Sequence, residues 1–101
     1  MIELRYTGQF KKDLKRILNQ PQKLKALNEV LRMLKNEIKL PERYRLHELI
    51  GEYKGCFECH IEGDFLLIWF NEETDTIALL RLGSHSELFK KQSLTQDSIT
   101  I

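Results

Sequence analysis

The stretch that decides the fold runs from residue 56 to residue 83 and reads CFECHIEGDFLLIWFNEETDTIALLRLG. It divides into three apolar runs, Cys56 to Ile61, Phe65 to Phe70 and Thr76 to Leu82. Glu62-Gly63-Asp64 separates the first two, and the acid-rich segment Asn71 to Asp75 separates the last two. Runs of this length, bounded by Gly, Asp and Asn, read as strands joined by tight turns. Strands joined that way form an antiparallel meander. The middle run is the most apolar, which predicts a central position. Gly83 breaks the third strand, and Ser84 is placed to cap a short helix through Phe89.

Upstream the period changes. Ile2, Leu4 and Tyr6 alternate with Glu3 and Arg5, the pattern of a short half-buried strand. Thr7 is a candidate cap for a helix in which Phe10, Leu14, Ile17 and Leu18 form the apolar stripe. Asn19-Gln20-Pro21 interrupts it, and Pro21 suits the first position of a second helix. There Leu24, Leu27, Leu31, Leu34 and Ile38 recur in steps of three and four until Leu40-Pro41. Residues 42–54 read as a connector, with Gly51 and Gly55 as punctuation. The predicted order is β-α-α-β-β-β, an α+β fold with an antiparallel sheet and a helical hairpin packed on one face. The other face is expected to be open or covered by a partner. One domain is expected over 1–91, followed by a polar, loose tail over 92–101.

The chain has 101 residues, 42% hydrophobic and 31% charged, enough for one core and ordinary for a globular domain. No run of about 18 apolar residues exists to cross a membrane. The start, Met1-Ile2-Glu3-Leu4-Arg5, lacks a basic region followed by an apolar one, so a cytoplasmic location is expected. The net charge of +1 hides an asymmetry, about +7 over residues 1–45 and −6 over residues 46–101. A basic half can grip a polyanion. Lysine-rich helix faces also serve solubility, and charge alone favours that plainer reading.

Cys56-Phe57-Glu58-Cys59-His60 matches C-x-x-C-H, the signature of covalent haem attachment. A strand would point Cys56 and Cys59 to opposite faces, and Met1 and Met33 are poorly placed as an axial ligand. Zinc is not expected, since no second cysteine pair exists. The two cysteines read as free thiols, and no metal or cofactor is predicted.

All three histidines, His47, His60 and His85, fall in the second half. On a three-stranded meander the end of the first strand, its turn and the end of the third can share an edge. His60, Asp64, Arg81 and His85 can therefore converge. Imidazoles give and take protons near neutrality, and an arginine offsets charge growing on phosphorus oxygens. Such a set suits cleavage of RNA by its own 2′-hydroxyl. The plainer alternative is that the histidines are structural and that Arg81 pairs with Glu58 across the sheet. Trp69, Phe65 and Phe70 could stack on bases, although alternation favours core packing. Phe65, beside Asp64, is the one expected to face the site.

The chain resembles the YafQ-like branch of the RelE/ParE toxin superfamily from the first strand to about Phe89. The resemblance rests on several segments in order. They are Tyr6-Thr7-Gly8-Gln9-Phe10-Lys11-Lys12-Asp13, Leu46-His47-Glu48-Leu49-Ile50-Gly51 with Tyr53-Lys54-Gly55, and His60 to Ile68 with its His-x-x-x-Asp pattern. Arg81-Leu82-Gly83-Ser84-His85-Ser86-Glu87-Leu88-Phe89 matches the Arg-x-Gly-x-His-x-x-Leu-Phe ending.

The resemblance implies a ribosome-dependent, metal-independent endoribonuclease whose site is lined by His47, His60, Asp64, Arg81, His85 and Phe89. In it His85 would be the acid, and His47 or His60 would be a base or would orient the RNA. Asp64 would hold a histidine tautomer or join in proton transfer, and Arg81 would bind the scissile phosphate. Phe65 and Phe89 would contact RNA, while Lys11, Lys12, Lys15 and Arg16 would grip ribosomal RNA. Phe65 stands where the family often has Trp, which predicts weaker stacking. A cognate antitoxin, the ribosome and messenger RNA are the implied partners. The alternatives are a ribonuclease acting on free RNA, a gyrase inhibitor of the same fold, and a non-enzymatic interaction module.

Overall fold

The computed structural model describes residues 2–72 and 75–89. The predicted tail over 92–101, and the end of the predicted 1–91 domain, lie outside the described residues. The strands are β1 (Glu3–Tyr6), β2 (His47–Glu48), β3 (Phe57–Glu62), β4 (Phe65–Asn71) and β5 (Thr76–Gly83). The helices are α1 (Gly8–Lys15), α2 (Pro21–Lys35) and the single turn α3 (His85–Leu88). Short 3-10 turns occupy Glu42–Tyr44 and Gly51–Tyr53.

The sheet order is β1-β5-β4-β3-β2. The meander forms as expected, with β4 antiparallel to both β3 and β5. Two expectations are corrected. The sheet is mixed, because β1 pairs parallel to β5, with Glu3 opposite Thr76 and Tyr6 opposite Leu79. The connector also contributes a strand, the two-residue β2, which sets His47 opposite Glu58.

The helix ends follow local chemistry. Thr7 caps α1, its hydroxyl accepting from the Phe10 amide at 3.2 Å and donating to the Leu79 carbonyl at 2.7 Å. Pro21 opens α2 as expected, and the left-handed Glu37, φ 57°, follows its end. Both helices are shorter than their apolar stripes suggest: Leu18 and Ile38 lie outside them and are exposed.

The helices cover one sheet face. Phe10, Leu27 and Val30 pack with Cys59, Phe65, Leu67, Trp69 and Leu79 in the main core. Complete burial of such a side chain contributes about 1.5–3 kcal/mol. A helical i,i+4 pair contributes roughly 0.2–0.5 kcal/mol, so the core holds the helices in place. The second face is not open, which corrects the expectation. Cys56, Leu66, Ile68 and Leu88, with Leu49, Tyr53, Leu80 and Phe89, form a smaller apolar cluster there. Cys56 and Cys59 thus lie on opposite faces and cannot share a ligand.

Candidate active site

The second face carries the histidines, and register puts them there. Opposite residues of paired strands point to the same side. His47, Glu58, Ile68 and Arg81 form one row across β2, β3, β4 and β5. His60, Leu66 and Gly83 form the next. Register shifts interrupt the ladder between His60 and Glu62 and between Ile68 and Trp69. Bulges of this kind re-aim side chains. Here one lies next to His60 and the other next to Arg81.

His85 opens α3, where Ser84 and Glu87 form a reciprocal capping box. A Cβ on Gly83 would stand 2.7 Å from Glu87 Oε1, the atom that accepts from the Ser84 amide. Glycine at 83 therefore keeps the cap that positions His85. His85 Nδ1 lies 2.8 Å from Asp64 Oδ1, which also accepts from the His85 amide at 3.1 Å. These two bonds hold the Asp64 carboxyl below the usual carboxylate range. The ionised carboxylate fixes the donor on Nδ1 and leaves Nε2 free for proton transfer.

The His85 ring is 5.7 Å from that of His60, which is 6.4 Å from that of His47. His47 Nδ1 meets the Arg45 carbonyl at 2.8 Å, and His60 Nδ1 meets the Gly63 carbonyl at 3.3 Å. A carbonyl only accepts, so both Nδ1 atoms carry hydrogen. Both Nε2 atoms then face Glu58 Oε1, at 3.0 Å from His47 and 3.8 Å from His60. The close His47 contact requires a proton between nitrogen and oxygen. Glu58 Oε2 is buried with no partner. Glu58 was not among the expected site residues. Its signal was a lone acid inside an apolar strand.

Arg81 corrects another expectation. It does not pair with Glu58. Asp13, on α1, accepts from Arg81 Nε at 2.8 Å and from Nη2 at 3.4 Å. Asp13 also accepts from the Leu82 amide at 2.9 Å, where β1 no longer covers the edge of β5. Asp13 raises the basicity of Arg81 against the opposing effect of burial, and Tyr53 adds to it. The Tyr53 ring meets Phe89 edge-on at 5.7 Å, and Phe89 lies 5.7 Å from His85. Arg81 is thereby connected to the histidines through two aromatic rings.

His47, His60, Asp64, His85 and Phe89 are brought together, and Arg81 stands on the same face. Phe65 is not: it is 5% exposed in the main core, with Lys23 Nζ 5.2 Å above its ring. Stacking of a base on Phe65 is therefore corrected. It shares the helix-covered side with Leu67 and Trp69, as strand alternation requires. Lys11, Lys12, Lys15 and Arg16 are exposed along α1 and its end. Arg16 lines a cleft of about 380 Å3 together with Asp64, Phe65 and Ser84, so Phe65 borders this cleft although its ring is not open to stacking. One donor atom each from Glu58, His60 and His85 lies within 4.8 Å of the other two, a spacing that a metal ion can bridge. No helix among the described residues is long and apolar enough to cross a membrane.

The model of a family described as the bacterial toxin YafQ of type II toxin–antitoxin systems matches residues 2–90. The mRNA interferase toxin YafQ of Escherichia coli is 33% identical over 89 residues, 86% of this chain and 95% of the relative. A metal-bound toxin from Helicobacter pylori superposes with a TM-score of 0.79 at 39% identity, covering 88% of this chain and 100% of the other. The toxin of the E. coli DinJ–YafQ complex does so with a TM-score of 0.75 at 30% identity, covering 88% and 99%. The sequence, the sheet order and these likenesses agree, and the chain belongs to the YafQ family of toxins.

Proposed function

We propose that this chain is a cytoplasmic toxin that cuts messenger RNA on the ribosome, with residues 1–91 as the working unit. The observation that carries this reading is the Asp64–His85 pair, at 2.8 Å, set 5.7 Å from the ring of His60. His60 Nε2, 3.8 Å from Glu58, takes the proton of the 2′-hydroxyl, whose oxygen bonds to phosphorus, while His47, with both ring nitrogens engaged by the Arg45 carbonyl and Glu58, orients the RNA. The bond from phosphorus to the 5′-oxygen breaks, and that oxygen leaves with a proton from His85 Nε2. The products are a 2′,3′-cyclic phosphate and a 5′-hydroxyl end. Asp64 positions His85. Asp13 accepts from Nε and Nη2 of Arg81 and Tyr53 adds a side-chain hydrogen bond, and a further N–H of the guanidinium donates to a phosphate oxygen. Phe89 closes the pocket beside His85. Lys11, Lys12, Lys15 and Arg16 attract ribosomal RNA, with an affinity that falls as salt rises. A cognate antitoxin, as DinJ is for its toxin, covers the site or the basic helix.

A transition metal fits Glu58, His60 and His85, and the unpartnered Glu58 oxygen favours it. When bound it would supply a Lewis acid and draw the three side chains together. The imidazole nitrogens would then no longer be available to protons. Cleavage by this chain's own residues therefore proceeds without metal. A chelator leaves the rate within about twofold, and excess zinc or copper inhibits, on the general-acid–base reading.

The test adds purified protein to a cell-free translation reaction and maps messenger RNA ends by primer extension. Discrete cuts that require ribosomes, and that fall at least about 100-fold in His85→Ala, are expected. Cuts on RNA without ribosomes would replace the ribosome-dependent reading with the free-RNA nuclease. No cuts by the folded protein would overturn the nuclease reading and leave gyrase inhibition or a binding module.

A further inference from the structure

A second cleft, of about 490 Å3, opens beside His60 and is lined by Arg43, Tyr44, Arg45, Glu29 and Glu62. Its arginines differ from the others near the site. Arg16 and Arg81 pair with Glu87 and Asp13. Among the described residues neither Arg43 nor Arg45 has a carboxylate within 4 Å.

Both are held in place without such a partner. The Arg43 guanidinium lies over the Tyr44 ring, 4.7 Å from its centroid, and donates to the Tyr44 hydroxyl at 2.9 Å. Tyr44 is itself buried, so an otherwise flexible cation is fixed at the cleft. Arg45 is left-handed, φ 51°, a conformation that is strained for a non-glycine residue. Its carbonyl meets His47 Nδ1 at 2.8 Å while its side chain lines the cleft. One strained residue thus joins the cleft to the histidines.

We propose that this cleft is the subsite for the nucleotide next to the scissile phosphate, with Arg43 and Arg45 holding that nucleotide's own phosphate. Two guanidiniums suit one phosphate, which each can meet with paired N–H groups. Glu29 and Glu62 make the cleft unlike a broad polyanion groove. They can accept from a base amino group or a ribose hydroxyl. The subsite rests on the RNA-cleavage reading and extends it to a substrate contact outside the histidine cluster.

The test uses a short synthetic mRNA bound to ribosomes, with each phosphate flanking the cleaved bond replaced in turn by an uncharged methylphosphonate. Arg45→Gly removes the guanidinium while glycine accepts the left-handed backbone, and Arg43→Gln is the second variant. Thermal melts check that both are folded. Neutralising one flanking phosphate is expected to lower wild-type cleavage about tenfold, the loss of one charge-assisted contact. The variants are expected to lose about as much on unmodified RNA and little more on the neutralised RNA. Multiplying losses, or variants that cut like wild type while His85→Ala does not cut, would overturn the subsite alone. No cutting by wild type would overturn the subsite together with the reading beneath it.

Discussion

Asp13 and Glu58 are the two buried acids of the described residues, 1% and 2% exposed, and their surroundings differ completely. Asp13 is saturated. It accepts from Arg81 twice, from the Leu82 amide and from Gln9. Glu58 has one oxygen shared by two imidazoles and another with no partner. Burying a carboxylate is costly unless its charge is matched and its lone pairs are filled. Asp13 meets both conditions with a permanent cation and a fixed amide. Glu58 is matched only while a proton lies between it and its histidines. The first arrangement fastens α1 to the edge of β5. The second leaves an incompletely satisfied polar group among the histidines proposed to transfer protons.

The contrast breaks first at Asp13. Asp13→Ala strands a partly buried guanidinium and an edge amide. It should destabilise the fold by about 3–5 kcal/mol in chemical denaturation, the cost of breaking a buried pair. A loss under about 1 kcal/mol would show that the network merely decorates the edge. Glu58→Gln sharpens the contrast from the other side. Stability should change by less than about 1 kcal/mol, because little is satisfied there to lose. Cleavage should fall about 10- to 100-fold, the usual cost of removing a group that orients catalytic or ligating histidines. Unchanged cleavage would reduce Glu58 to a passive neighbour.

The smallest effect is expected at Cys59. Burial, with Glu58 adding to it, pushes its thiol up to about 12, so it is un-ionised at neutral pH. Alkylation of the native protein should leave Cys59 unlabelled by mass spectrometry until denaturant is added, since the thiolate is the reactive form. Rapid native labelling would show that the strand carrying Glu58 opens readily.

The sequence displayed what is local. Thr7, Pro21 and Ser84 mark helix starts by their own chemistry, and the alternating runs around Gly63 produce the meander. Because His60, Asp64 and His85 lie at one end of that meander, their convergence could be read from the turns. What escaped reading depends on distant partners. Nothing in Glu3–Tyr6 indicates that it pairs parallel with Thr76–Gly83. Nothing in the helical pattern of α1 shows that Asp13 will cap a strand edge 69 residues away. The two-residue β2 is too short to leave a period, yet it brings His47 to Glu58. Phe65 was misplaced although strand alternation assigns it to the side of Leu67 and Trp69. Its neighbour Asp64 faces the site from the turn, whereas Phe65 is the first residue of β4 and follows that strand's alternation.

The pairing of β1 with β5 also orders events in time. Glu3 finds its partner only once Thr76 exists, and Arg81 and His85 follow a few residues later on the same growing chain. Closing a sheet from its two most distant strands is slow compared with forming a helix or a hairpin. Shorter nascent chains have the basic helix but neither the edge that Asp13 completes nor His85. The chain thus acquires its fold and the histidine cluster proposed to cut RNA in one late step of its own synthesis.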